Sequence, residues 1–122
     1  MNFLCKLLLL TILVSFRVEA QAQEVGTGLF CDTPDQVLSF IENRRSGMNN
    51  AVALQKVNGE TNACAIQPIA FIRGKTVASV PYGGDYVDIV EILVIGYIDG
   101  QSVRPIPPTT QYTMFKAEGR SA

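Results

Sequence analysis

The chain has 122 residues, 48% of them hydrophobic, with 10 basic and 11 acidic side chains and no histidine. That hydrophobic share excludes a disordered chain, the lack of a Gly-X-Y period excludes collagen, and the missing histidine removes the commonest general base and the commonest metal ligand together. Lys6, Arg17 and Glu19 fall in an N-terminal export segment, which leaves eight basic and ten acidic groups behind it, so general attraction to nucleic acid or anionic lipid is not expected.

The export segment opens with Lys6, continues through an apolar run from Leu7 to Phe16 and ends on the small-residue frame Ala20-Gln21-Ala22. This is the order of a secretory signal. Its run of ten residues between Lys6 and Arg17 is short of the roughly 20 that a membrane helix needs. The sequence therefore predicts a signal peptide over residues 1–22, cleavage after Ala22, one domain over 23–122 and no stable membrane anchor afterwards. Cys5 precedes the apolar run and Cys31 follows the bulky pair Leu29-Phe30, so neither suits lipidation.

Cys5 leaves with the signal, and an exported domain with two remaining cysteines predicts one disulfide between Cys31 and Cys64. Closing that loop destabilises the unfolded chain by roughly 4 kcal/mol in the chain-entropy picture. Without Cys-x-x-Cys spacing the pair reads as structural rather than redox-active. Two cysteines without histidine make a poor zinc site, and no metal or other cofactor is predicted.

Gln23 to Leu29 carries two glycines and little periodicity, and reads as a mobile lead-in. Thr33-Pro34-Asp35-Gln36 then forms a capping box with proline at the first helical position. Val37, Leu38, Phe40 and Ile41 make an apolar stripe, Arg44 and Arg45 suit the carbonyl end of the helix dipole, and Gly47 offers a left-handed exit. A second helix is expected from Asn50 to Asn58, with Ala51, Leu54 and Val57 in one row and Gly59 after it. From Cys64 the period becomes extended. Strands are expected over Ile66–Arg73, Thr76–Val80, Tyr86–Ile98, Ser102–Ile106 and Thr110–Ala117, with turns at Arg73-Gly74-Lys75, Tyr82-Gly83-Gly84-Asp85 and Asp99-Gly100. The apolar phase of the long strand switches between Ile89 and Val90, which implies a bulge, a bend or burial on both faces. Pro105, Pro107 and Pro108 must lie at an edge or in a loop. The predicted fold is α+β: two short N-terminal helices packed on a small bent antiparallel sheet or SH3-like barrel of about five strands.

Gly28-Leu29-Phe30-Cys31-Asp32-Thr33, with Gln36-Val37, Phe40, Val57-Asn58, Ala63-Cys64, Val90-Glu91-Ile92 and Gln111-Tyr112-Thr113, resembles a group of short exported bacterial proteins with no assigned activity. The resemblance implies export and the disulfide and supplies no catalytic residue. The strand-rich half is similar to an SH3-like barrel in strand count and turn placement, a likeness of fold alone.

Few constellations carry chemistry. Arg73-Gly74-Lys75-Thr76 ends like a P-loop, but position 69 is Ile69 where the phosphate-cradling turn needs glycine, so the segment reads as a hairpin turn. Asp85, Asp88 and Glu91 are the acids a carboxylate-based hydrolase would need, yet on a strand Asp88 points away from the other two. Ser79, Ser102, Thr109 and Thr110 have no histidine to activate them. The Pro105–Pro108 spacing fits a PxxP ligand, and in an exported bacterial setting it reads as a stiff connector. Tyr82, Gly83, Gly84, Asp85 and Tyr86 form the candidate binding site: two tyrosines bracket a flexible tip, the pairing that binding loops favour, and Tyr97 and Tyr112 would extend it if their strands are neighbours. The function expected is a non-catalytic periplasmic or secreted interaction module for a protein, peptide or cell-wall ligand. A secreted enzyme inhibitor is the first alternative and the small hydrolase the second.

Overall fold

The computed structural model describes residues 22–121, with side chains through residue 117; the expected signal peptide lies, but for Ala22, outside the described residues. The element order is β1 (Gln23–Cys31), α1 (Pro34–Arg45), α2 (Asn50–Asn58), β2 (Cys64–Tyr82), β3 (Asp85–Asp99) and β4 (Ser102–Ser121). All strand pairs are antiparallel, and the four strands close into a barrel in the order β1-β2-β3-β4. The α+β class holds, with four strands where five were expected, and the helices are not N-terminal. They form an excursion between two neighbouring strands.

The helices start and stop where local chemistry dictates. Thr33 Oγ1 accepts from the Gln36 amide at 3.3 Å while Gln36 Oε1 accepts from the Thr33 amide at 2.9 Å, completing the capping box of α1. Gly47 takes the left-handed exit at φ 100. Asn49 caps α2 by accepting from the Val52 amide at 2.9 Å, and Gly59 ends it. Val37, Phe40 and Ile41 of α1 are buried as the stripe requires. On α2 the buried residue is Ala53, flanked by partly buried Leu54 and Val57, while Ala51 is exposed. The inward face is rotated from the expected row because α2 packs on α1, where Asn43 Nδ2 donates to the Ala53 carbonyl at 3.3 Å.

Three expectations about the strands are corrected. Gln23–Leu29 is strand rather than lead-in: every residue from Gln23 to Cys31 pairs with β2, from Ile72 back to Cys64. The partner arrives only after both helices, so no local pattern announces it. Second, Arg73-Gly74-Lys75 is no hairpin but an irregularity within one continuous β2, where the β2–β3 register shifts between Arg73 and Thr76. A Cβ on Gly74 would stand 2.6 Å from the Glu91 carbonyl oxygen, so glycine is needed for backbone approach and not for a turn. Third, the two C-terminal strands are one. Ile106, Pro107 and Pro108 bulge out of β4 between the pairs Gly96↔Pro105 and Val94↔Thr109, and Ile106 packs against the barrel cluster. The β3–β4 turn also falls one residue later than expected, on Gly100-Gln101, with Asp99 opposite Ser102.

Two apolar clusters lie on opposite sides of the bent sheet. One joins Val37, Phe40, Ile41 and Ala53 of the helices to Leu29, Cys31, Cys64 and Ile89 of the strands. The other comes from strands alone, with Phe30, Ile69, Phe71, Val90, Ile92 and Val94 filling the barrel. Consecutive residues Ile89 and Val90 thus serve different cores, which explains the phase switch of β3 as burial on both faces; its ladder with β4 is regular from Val87 to Val94. At one mouth of the barrel the Arg73 guanidinium lies 3.7 Å over the Phe115 ring and binds Glu24 through two nitrogens at 2.8 and 3.0 Å.

The disulfide joins Cys31 and Cys64, the facing residues of β1 and β2. Mass spectrometry of the unreduced protein should show these two peptides linked, and replacing both cysteines with alanine should cost about 4 kcal/mol in urea unfolding. Detection of two free thiols in the unreduced protein overturns the pairing. Gly74→Ala should cost about 1–3 kcal/mol as an overpacking change, whereas Gly26→Ala, with nothing within 4 Å of the added carbon, should stay far milder. Equal costs would mean that Gly74 is not held by the approach of Glu91.

Candidate functional site

The β2–β3 hairpin turns on two glycines because Gly83 and Gly84 both hold positive φ, 60 and 85, as a two-residue loop matched to strand twist demands. Tyr82 pairs with Asp85 and Pro81 with Tyr86 on the flanking strands. The two glycines are exposed, while Tyr82, Asp85 and Tyr86 are half-buried. A cleft of about 430 Å³ opens beside this tip. Of the five residues predicted from sequence, Tyr82, Gly83, Asp85 and Tyr86 line it, and Gly84 does not.

Other elements supply what the sequence reading missed. Val87 follows on β3, Met114, Phe115 and Lys116 come from β4, and Arg44 and Asn50 come from the ends of the helices. The arginine pair at the end of α1 was visible as a dipole partner; its tethering role was not. Arg44 Nη1 donates to the Met48 carbonyl at 2.6 Å and fixes the link between the helices, while the Arg45 guanidinium donates to the Pro81 carbonyl and ties α1 to the hairpin. Lys116 Nζ lies 3.4 Å from Asp85 across the β3–β4 pair. Nothing in local sequence points from Asp85 to Met114 or Lys116, because the ladder that joins them is long-range.

Tyr97 and Tyr112 do not extend this surface. Tyr97 stands near the far end of β3, between Ile69 and Arg104, and Tyr112 packs on the helix-side core with its hydroxyl donating to Glu91 at 3.5 Å. The three candidate acids have different partners: Asp85 has Lys116, Asp88 accepts from the Ser79 hydroxyl, and Glu91 has Tyr112. Among the described residues no three His, Cys, Asp or Glu side chains group as a metal site, and no helix is long and apolar enough to cross a membrane. Compared with known family models, curated proteins and solved structures, the chain matches none.

Tyr82 packs against the helix-side core, and Tyr86 belongs to neither cluster. The two rings therefore differ in what they pack against, although both bracket the tip in sequence. Tyr82→Ala should lower stability by roughly 1–3 kcal/mol, at the low end of large-to-small core changes, and Tyr86→Ala by clearly less. Thermal or urea melts of the two single variants decide it; a larger loss at Tyr86 reverses the assignment.

Proposed function

We propose that the chain is a non-catalytic exported module that binds a protein, peptide or cell-wall component in the cleft beside the Gly83-Gly84 tip. One observation carries this reading: four tip residues, chosen from sequence for their contact chemistry, share a single concavity with side chains from β4 and both helices. Val87, Met114 and Phe115 offer apolar contact, Tyr86 an amphipathic ring, and Arg44, Asp85 and Lys116 charges of both signs, the mixture of a selective recognition site. The inhibitor alternative asks for a rigid loop that projects into a partner's site. A two-residue turn whose Tyr82 is turned toward its own core favours receiving a ligand over inserting into one. The hydrolase alternative asks for converging acids, and the separate engagement of Asp85, Asp88 and Glu91 disfavours it.

A disulfide belongs to an oxidising compartment. The secretory pattern of residues 1–22 and the resemblance to short exported bacterial proteins support the narrower reading of periplasm or extracellular space. The SH3-like likeness rests on strand count and turn placement; with four strands and no turn at Arg73-Gly74-Lys75 it loses part of that support, and by itself it assigns no ligand.

Exported protein, immobilised and challenged with envelope extract, secreted extract and purified cell-wall sacculi, should retain a ligand. The Asp85→Ala/Tyr86→Ala double variant should retain it about tenfold more weakly while keeping most of its thermal stability. Equal retention by a folded double variant overturns the cleft as the binding site.

A further inference from the structure

A second cavity, of about 340 Å³, lies toward the other end of β3 and is built from different chemistry. Its size falls in the range of about 300–1,000 Å³ usual for small-molecule sites. We infer that it is a binding site for a neutral pyranose sugar, independent of the cleft at the hairpin tip.

The disulfide positions one wall of this cavity. Asp32 directly follows Cys31, and Asn62 stands two residues before Cys64, so both flank the covalently closed stem; the Asp32 amide donates to the Ala63 carbonyl at 2.9 Å and continues the pairing one step beyond it. Gln111 of β4 donates through Nε2 to Asp32 Oδ1 at 3.0 Å, which fixes the carboxylate and leaves its second oxygen to accept. The amides of Asn62 and Gln67 line the same cavity and have no protein partner among the described residues. An amide presents a donor and an acceptor side by side, and a sugar hydroxyl is both as well, so a rim of three amides and one carboxylate suits a ring of hydroxyls.

Apart from Thr109, the remaining lining is apolar or aromatic. Val94 and Ile106 belong to it, and Tyr97 is 37% exposed at its edge. A pyranose has the complementary division, with C–H groups on its faces and hydroxyls around its rim, and an aromatic ring with a polar end suits that junction. Charge narrows the class further. Asp32 is the one charged residue among the described residues lining the cavity, so a uronate or sugar phosphate would meet its repulsion without a lining cation to offset it. A single carboxylate is likewise a poor calcium site, which wants six to eight oxygens with several charges.

The test is titration of the isotopically labelled exported protein with D-glucose, N-acetyl-D-glucosamine, D-glucuronate and methylamine, followed by two-dimensional NMR. At least one neutral sugar should give saturable shifts centred on Asp32, Asn62, Gln67, Tyr97 and Gln111. Glucuronate should bind more weakly than glucose. Tyr97→Ala should weaken the sugar about tenfold, the value of one aromatic contact; Asn62→Ala, at an exposed position, provides the same test if the tyrosine variant fails to fold. The inference is overturned if neither neutral sugar gives a saturable shift at tens of millimolar. It is equally overturned if the shifts centre on Tyr86 and Lys116, if glucuronate binds as well as glucose, if methylamine binds these residues more tightly than either neutral sugar, or if the folded variant binds like the parent protein. Failure here leaves the hairpin-tip cleft unaffected, because the two sites share no lining residue.

Discussion

The Cys31–Cys64 bond sits where three parts of the molecule meet. It joins the last residue of β1 to the first of β2, so the whole helical excursion hangs from a stem whose width is covalently fixed. Cys31 also pairs with Tyr112, and Phe30 with Thr113, the two pairs by which β1 meets β4 and the barrel closes. The Thr113 hydroxyl donates to the Leu29 carbonyl beside them. Two further bonds fasten the end of α2 to the same place: Asn58 Oδ1 accepts from the Cys64 amide at 2.8 Å and its Nδ2 donates to the Cys64 carbonyl at 2.9 Å. A domain of this size has about 5–15 kcal/mol of net stability, and a cross-link contributing about 4 is therefore a large share of what keeps barrel and helices in one arrangement.

From that junction the sheet serves two cores. Leu29 and Phe30 face opposite clusters on β1, and Ile89 and Val90 do the same on β3. A sheet covered on both faces must bend to enclose one cluster while presenting the other to the helices, and bending brings backbones close. Gly74 and Gly96 mark the two tightest approaches, against the Glu91 carbonyl and against Val103 with the Arg104 carbonyl. The exposed edge of β4 from Ser102 to Gln111 carries three prolines, which cannot donate to an added strand, so the bulge that turns Ile106 inward also guards the edge against aggregation.

What the sequence made legible was what short-range chemistry determines. The capping box at Thr33, the Asn50–Asn58 helix, the Gly83-Gly84 turn and the cysteine pair each depend on residues within a few positions or on a simple count. The strand identity of Gln23–Leu29 was not legible, because its only justification is a partner more than 30 residues away. Gly74 misled for a related reason: a glycine flanked by arginine and lysine looks like a turn until Glu91 is known to lie against it. The same division runs through the candidate site. Tyr82, Asp85 and Tyr86 are neighbours in sequence, whereas Lys116 and Arg44 reach the cleft through the β3–β4 ladder and the Arg45 tether. The second cavity was invisible throughout, since Asp32, Gln67, Tyr97 and Gln111 come from four separate stretches of chain.

β3 links the two cavities as a common rigid wall. Asp85, Tyr86 and Val87 line one and Val94 and Tyr97 the other, and the strand from Asp85 to Val94 spans about 30 Å. Between them the strand is paired on both edges and carries Ile89, Val90 and Ile92, all nearly fully buried. Such a segment resists deformation, because protein interiors are close-packed. Occupation of one cavity should therefore leave the geometry of the other unchanged. The charged residues lining them differ as well, Arg44, Lys116 and Asp85 at the hairpin tip and Asp32 at the stem, so the two ends present different electrostatics. On the proposed reading, a stapled wall with unlike cavities at its ends suits holding two different ligands at a set distance.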